Sequence, residues 1–186
     1  WEGRKQWGGL VNVSRTLAIR VREFSGDAAA HAFFSGWIPG FVHSLRDHLR
    51  PNQPDAPQSP VGGEFVNSEH VPNAWAQGME RRAISMHKAG DLTDQQHWLV
   101  AQNIERMVDI LGACERIHKT PVPYSYSMFL KKFIFLYVVT LPIGFVATFA
   151  WWSVPVVMLV FYILVGVELI AEEIEDPFGV DENDLP

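Results

Sequence analysis

Residues 133–167 read FIFLYVVTLPIGFVATFAWWSVPVVMLVFYILVGV, a run without a single charged side chain. About 20 apolar residues cross a bilayer core, so a run of roughly 35 is too long for one span. Pro142 and Gly144 interrupt its first half, and Trp151-Trp152-Ser153-Val154-Pro155 breaks it near the middle. Two antiparallel helices over 133–149 and 154–170 fit better, each reaching about 26 Å at 1.5 Å per residue. The tryptophan pair suits the headgroup level, and Pro155 suits a first helical turn. Pro142 should kink the first span and free a carbonyl; either Thr140 or Thr148 is its local partner, or the segment faces protein or water rather than lipid. Lys131 and Lys132 abut the run, and the positive-inside bias puts that end in the cytoplasm. A hairpin then returns Glu168 and the rest of the chain to the same side. A buried hairpin inside a large soluble core is the alternative; the length of the uncharged run and the Trp pair favour the membrane.

Working outward, the charge divides sharply. The chain has 186 residues, 48% of them hydrophobic and 19% charged, with a mean hydropathy near zero at +0.03. All 15 Lys and Arg precede residue 133, so residues 1–132 carry 15 − 13 = +2 and the remainder carries −8. A nucleic-acid binder would need a basic stripe, and none is present. Cys114 is the one cysteine, which rules out an intrachain disulfide framework and a multi-Cys zinc site. The chain opens at Trp1 with no Met and no basic-plus-apolar leader; it is expected to be a fragment, or trimmed at both ends.

The body before the apolar run reads as helices. Trp7, Leu10, Val11, Ser14, Leu17, Val21 and Phe24 recur mostly at steps of three and four, one apolar stripe. Ser25-Gly26-Asp27 should hold the next N-cap, and 28–50 reads as a second helix with Phe33, Trp37, Phe41 and Leu45, kinked or split at Pro39. Residues 51–63 (PNQPDAPQSPVGG) are a loop by composition. A third helix should start near Asn73, run through Trp75, Met79, Ala83 and Met86, and end at Gly90 as C-cap. Thr93 or Asp94 should cap a long helix to about His118, with Leu99, Asn103, Met107, Ile110 and Cys114 on one face. No strand pattern and no repeat is visible. The expected fold is all-α: a cytosolic helical region over 1–128, a transmembrane helical hairpin over 129–170 and an acidic cytosolic segment over 171–186.

Chemistry motifs are absent. There is no phosphate-cradling Gly loop, HExxH, CxxC or nucleophile elbow. His43 and His48, the closest histidine pair, are five apart and misaligned on a helix, so surface histidines are favoured over metal ligation. Cys114 reads as a small buried hydrophobe rather than a nucleophile. An enzyme is not expected.

Several segments resemble a known family. Glu115-Arg116-Ile117, then Thr120-Pro121-Val122-Pro123-Tyr124-Ser125-Tyr126, looks like the lead into the last membrane hairpin of bacterial bestrophin-like channels. Leu141-Pro142-Ile143-Gly144 and the Trp151-Trp152 turn agree. Ala171-Glu172-Glu173-Ile174-Glu175-Asp176-Pro177-Phe178-Gly179, followed by Asp181 and Asn183-Asp184-Leu185, carries the Pro-Phe-Gly core with acids on both sides that marks bestrophins. Trp1-Glu2-Gly3-Arg4 resembles the stretch just after that family's second membrane helix. The similarity covers the whole chain, strongly at both ends and weakly over 24–98.

The resemblance implies one subunit of a homopentameric ion channel in the cell membrane, multi-pass, with monovalent ions, lipid and further copies of itself as partners. Vertebrate members are calcium-activated chloride or anion channels; some bacterial relatives are selective for monovalent cations. The family's hydrophobic neck lies on a helix before Trp1, so selectivity is not legible here. A second constriction, at the cytosolic exit, maps to Gln95 or Gln96, where many members carry an apolar residue and a glutamine makes a wetter gate. An exposed helix N-terminus accounts for those residues equally well. A calcium clasp is also implied, with side-chain oxygens from Asp181 and Asp184 and main-chain carbonyls from Glu173 and Asp176. Val180 stands where vertebrate members have an acid, a departure that weakens the local field, and an ordinary solvated acidic tail is the alternative. The competing class is a non-channel helical scaffold anchored by the hairpin.

Overall fold

The computed structural model of the chain describes residues 1–50, 70–120, 123–175, 177–179 and 184–185. Among them every regular element is helical: α1 (Glu2–Phe24), α2 (Ala28–Leu49), α3 (Val71–Lys88), α4 (Asp94–Lys119), α5 (Tyr124–Phe149), a 3₁₀ turn (Ala150–Trp152) and α6 (Ser153–Glu175). The Pro-rich stretch 51–63 lies outside the described residues. Two compact units form. One is Trp1–Lys119 joined by Phe178, Gly179, Asp184 and Leu185; the other is Thr120–Pro177.

The first unit is a helical bundle around a buried apolar core. Leu10, Leu17 and Val21 of α1, Phe34, Phe41 and Leu45 of α2, Met79 of α3 and Val100 and Met107 of α4 form its sealed core. Burying each such side chain stabilises by roughly 1.5–3 kcal/mol. Val11, expected on the buried stripe, is instead 40% exposed. On α4 the buried face includes Val100, one position on from the Leu99 expected. α2 runs unbroken through Pro39. Two glycines interlock α2 with α3: a Cβ on Gly40 would lie 2.5 Å from the Trp75 ring, and one on Gly78 would lie 1.8 Å from Trp37. Each indole lies on the other helix's glycine, and the two rings meet edge-on at 4.8 Å.

The helix ends follow capping chemistry. Asp27 caps α2, its carboxylate accepting from the Ala29 amide at 2.8 Å. α3 begins two residues before Asn73, with His70 as its cap and Pro72 in its first turn. Its end is a Schellman turn: Asp91 N–H donates to the Met86 carbonyl and Gly90 N–H to that of His87, both at 3.0 Å. Gly90 has φ +79°, the left-handed conformation that favours glycine there.

The second unit is the hairpin. α5 starts nine residues before the uncharged run (124 against 133), and α6 runs to Glu175 rather than stopping at 170. Lys and Glu are good helix formers, so an apolar run marks what lipid tolerates rather than where a helix must end. Lys131 Nζ lies 3.2 Å from Glu168 and 3.4 Å from Glu172. That pairing across 41 positions requires the chain to double back. Ala150, at φ +45°, makes the reversal, and the Ser153 hydroxyl donates to its carbonyl at 2.6 Å.

Candidate functional site

Apolar side chains cover the outside of the hairpin. Phe135 is 71% exposed, Ile143 79% and Tyr162 76%, with Trp151 at the turn 88%. The helical stretch Tyr124–Ile174 is long and apolar enough to cross a membrane, and none of its most apolar window is buried within the protein. Inside α5, the Thr140 hydroxyl is shared between the Leu136 and Tyr137 carbonyls at 2.9 and 3.1 Å. It does not reach Val138, whose carbonyl loses its helical donor to Pro142.

Gln95 and Gln96 occupy the first turn of α4 in different ways. Gln96 closes a capping box with Thr93: its Oε1 accepts from the Thr93 amide at 2.9 Å and from the Thr93 hydroxyl at 3.0 Å, and its own amide donates back to Thr93 Oγ1 at 3.3 Å. Gln95 is exposed. The turn therefore holds one glutamine as a structural cap and leaves the neighbouring one turned to solvent.

At the acidic end, Asp176 and Asp181 lie outside the described residues. Glu173 is exposed on α6 in the second unit, and Asp184 is half-buried in the first. Phe178 is 3% exposed within the first unit's core, with Leu185 packed against it. Arg50 holds this segment by its backbone, donating from Nε to the Phe178 carbonyl at 3.0 Å and from a terminal nitrogen to the Leu185 carbonyl. A charged donor strengthens both bonds.

A third cluster joins α2, α3 and α4. His48 Nε2 lies 2.8 Å and His70 Nε2 2.6 Å from Glu115 Oε1. Burial raises the carboxyl's pKa, but hydrogen bonds and charge from the two histidines outweigh it and hold Glu115 below its usual value. Next to it, burial first and the Glu115 charge second push the Cys114 thiol up to about 11. Cys114 is therefore a protonated core residue, without the thiolate a nucleophile needs.

The model of the family described as bacterial/fungal bestrophin proteins matches residues 1–186, the whole chain. The chain belongs to the bestrophin family. A voltage-dependent anion channel-forming protein of Nostoc sp. is 35% identical over 209 residues, and one of Escherichia coli is 29% identical over 194. Both alignments cover all of this bestrophin chain but only 64% and 62% of the relatives' own length. The crystal structure of a bacterial bestrophin homolog from Klebsiella pneumoniae superposes with a TM-score of 0.93 at 28% identity, covering 100% of this chain and 71% of that one.

Sequence reasoning passed over the His48–His70–Glu115 cluster of this bestrophin. Its members come from three helices, so no local spacing announces it, and the histidine pair weighed for metal, His43 with His48, does not include His70. The one available signal was His70 standing just ahead of a helix start, at Pro72-Asn73.

Proposed function

We propose that this bestrophin chain forms part of a subunit of an anion-conducting channel rather than an enzyme. Its 35% identity, over its full length, to a protein named for forming a voltage-dependent anion channel carries the reading. In it the hairpin crosses the bilayer as part of a multi-pass protein, supported by the exposed apolar faces of α5 and α6. The Lys131-Lys132 flank favours the cytoplasm for both hairpin ends and for the α1–α4 unit. The subunit assembles as a homopentamer with chloride and similar monovalent ions passing along its axis. Gln95 lines the cytosolic exit, supported by its exposed side chain beside the occupied Gln96. Glu173, Asp176, Asp181 and Asp184 form a calcium clasp, supported by the anchoring of Phe178 and Leu185, which neighbour Asp176 and Asp184 in sequence.

Planar-bilayer recording of the full-length protein in a KCl gradient tests the ion. The expected reversal potential approaches the chloride equilibrium value. The −8 carried by residues 133–186 is the feature that favours cations, and a reversal near the potassium value would establish the cation-selective reading instead. Gln95→Ile should lower conductance through dewetting of the exit; unchanged conductance places the aperture elsewhere. Calorimetric calcium binding to the full-length protein should be saturable and lost in Asp184→Ala, and an absence of heat ends the clasp.

A further inference from the structure

The His48–Glu115–His70 cluster has the donor set of a metal centre. His48 is in the last turn of α2, His70 caps α3, and Glu115 lies near the end of α4. One ligand atom from each falls within 4.8 Å of the others, and the imidazole rings are 4.5 Å apart. The histidine side chains are 31% exposed and Glu115 is 21% exposed. An ion therefore has a route from solvent, yet meets a partly dehydrated site.

As folded, both imidazoles share one carboxylate oxygen. His70 Nδ1 accepts from the Asn73 amide at 3.3 Å, so its proton sits on Nε2 and is donated to Glu115. Tetrahedral zinc, with bonds of about 2.0–2.2 Å, holds its ligand atoms about 3.3 Å apart. The observed 2.8 and 2.6 Å separations need to open by only about half an ångström or slightly more. Side chains at the ends of three separate helices have the freedom for that.

We propose that His48, His70 and Glu115 bind a divalent transition-metal ion, with zinc as the natural occupant and water completing the coordination shell. The donor set selects the ion. Calcium and magnesium want six or more oxygens, and two imidazole nitrogens do not suit them. Two nitrogens and one carboxylate suit zinc, and by the Irving–Williams order they also accept nickel and copper. Binding presents the lone pair of each Nε2 to the metal and moves the ring proton to Nδ1. For His70 that proton displaces the Asn73 cap, so the ion replaces one helix-end hydrogen bond with a tie between α2, α3 and α4. The site is distinct from the acids at the end of the chain, and its occupancy does not depend on which ion the channel conducts.

Zinc titration into the full-length, chelator-treated protein in detergent tests this. One zinc per chain is expected, and its melting temperature should rise with zinc concentration by mass action. His48→Gln and His70→Asn should each weaken binding at least tenfold. Asn is a good N-cap and keeps an acceptor for Asn73, so His70→Asn should remain folded. Cobalt should give visible d–d absorption in the wild type and lose it in His70→Asn, a signature that simple folding effects do not produce. Calcium should not displace it. Absent saturable zinc binding in the intact protein, or unchanged affinity in both variants, would overturn the site.

Discussion

Phe34 and Phe41 in the α1–α4 unit are 2% and 0% exposed, whereas Phe135 and Phe161 in the hairpin are 71% and 50% exposed. The same residue type is hidden from solvent in one unit and presented to it in the other. Leu17 and Leu45 against Leu136 and Leu159 repeat the contrast. In water, a continuous apolar face of this size would drive association, and soluble monomers avoid it. In lipid it incurs no such penalty, because hydrocarbon chains are as apolar as leucine. One unit thus hides its large apolar side chains within itself, and the other presents them outward. The charges agree, since ionised side chains stop at Lys132 and resume at Glu168.

Substitutions sharpen that contrast. Phe41→Ala, in a site with no exposure, should cost about 3–5 kcal/mol and lower the melting temperature of the detergent-solubilised protein; an unchanged transition would mean the core is not there. Ile163→Arg, 52% exposed in α6, should raise the insertion cost by about 2.5–3.5 kcal/mol and deplete the protein from membrane fractions. Ile19→Arg, 62% exposed in α1, should stay within about 0.5 kcal/mol of wild type. Equal behaviour of these two arginines would erase the distinction between the units. Gly78→Ala places a methyl against the Trp37 ring and should cost about 1–3 kcal/mol by overpacking, measured as a lower melting temperature. Thr93→Ala removes the capping-box hydroxyl and should cost about 1 kcal/mol, read by the same melt.

The hairpin was the most legible part of the sequence because lipid imposes a requirement on every residue at once. A single charge within 133–167 would have spoken against it. The glycine that ends α3 was also legible, though the C-cap itself is Ala89 and Gly90 is the left-handed residue just after it. Of Thr93 and Asp94, Thr93 is the cap, a hydroxyl acceptor being a local need met by few residue types. Helix lengths in the hairpin were less so: Lys131 and Glu168 end the apolar run but not the helices that carry them. Val11 and Leu99 read as core by periodicity, yet the neighbouring helices cover Val100 and leave Val11 part-exposed. Gln95 and Gln96 were indistinguishable in sequence; only the bond from Thr93 to Gln96 separates them. The histidine–glutamate cluster depends on how three helix ends meet, which no spacing encodes.

Labelling with a membrane-impermeant maleimide on intact cells tests the two-solvent account most directly. Ser153 is buried and bonded to Ala150, so the better probe at the turn is Trp151→Cys, at a site 88% exposed. In a full-length protein freed of its other cysteines, Cys114 among them, Trp151→Cys should label from outside. Glu2→Cys, on exposed α1 surface, should label only after the membrane is opened. Labelling of both sites from outside, or of neither until permeabilisation, would contradict a hairpin that crosses the bilayer.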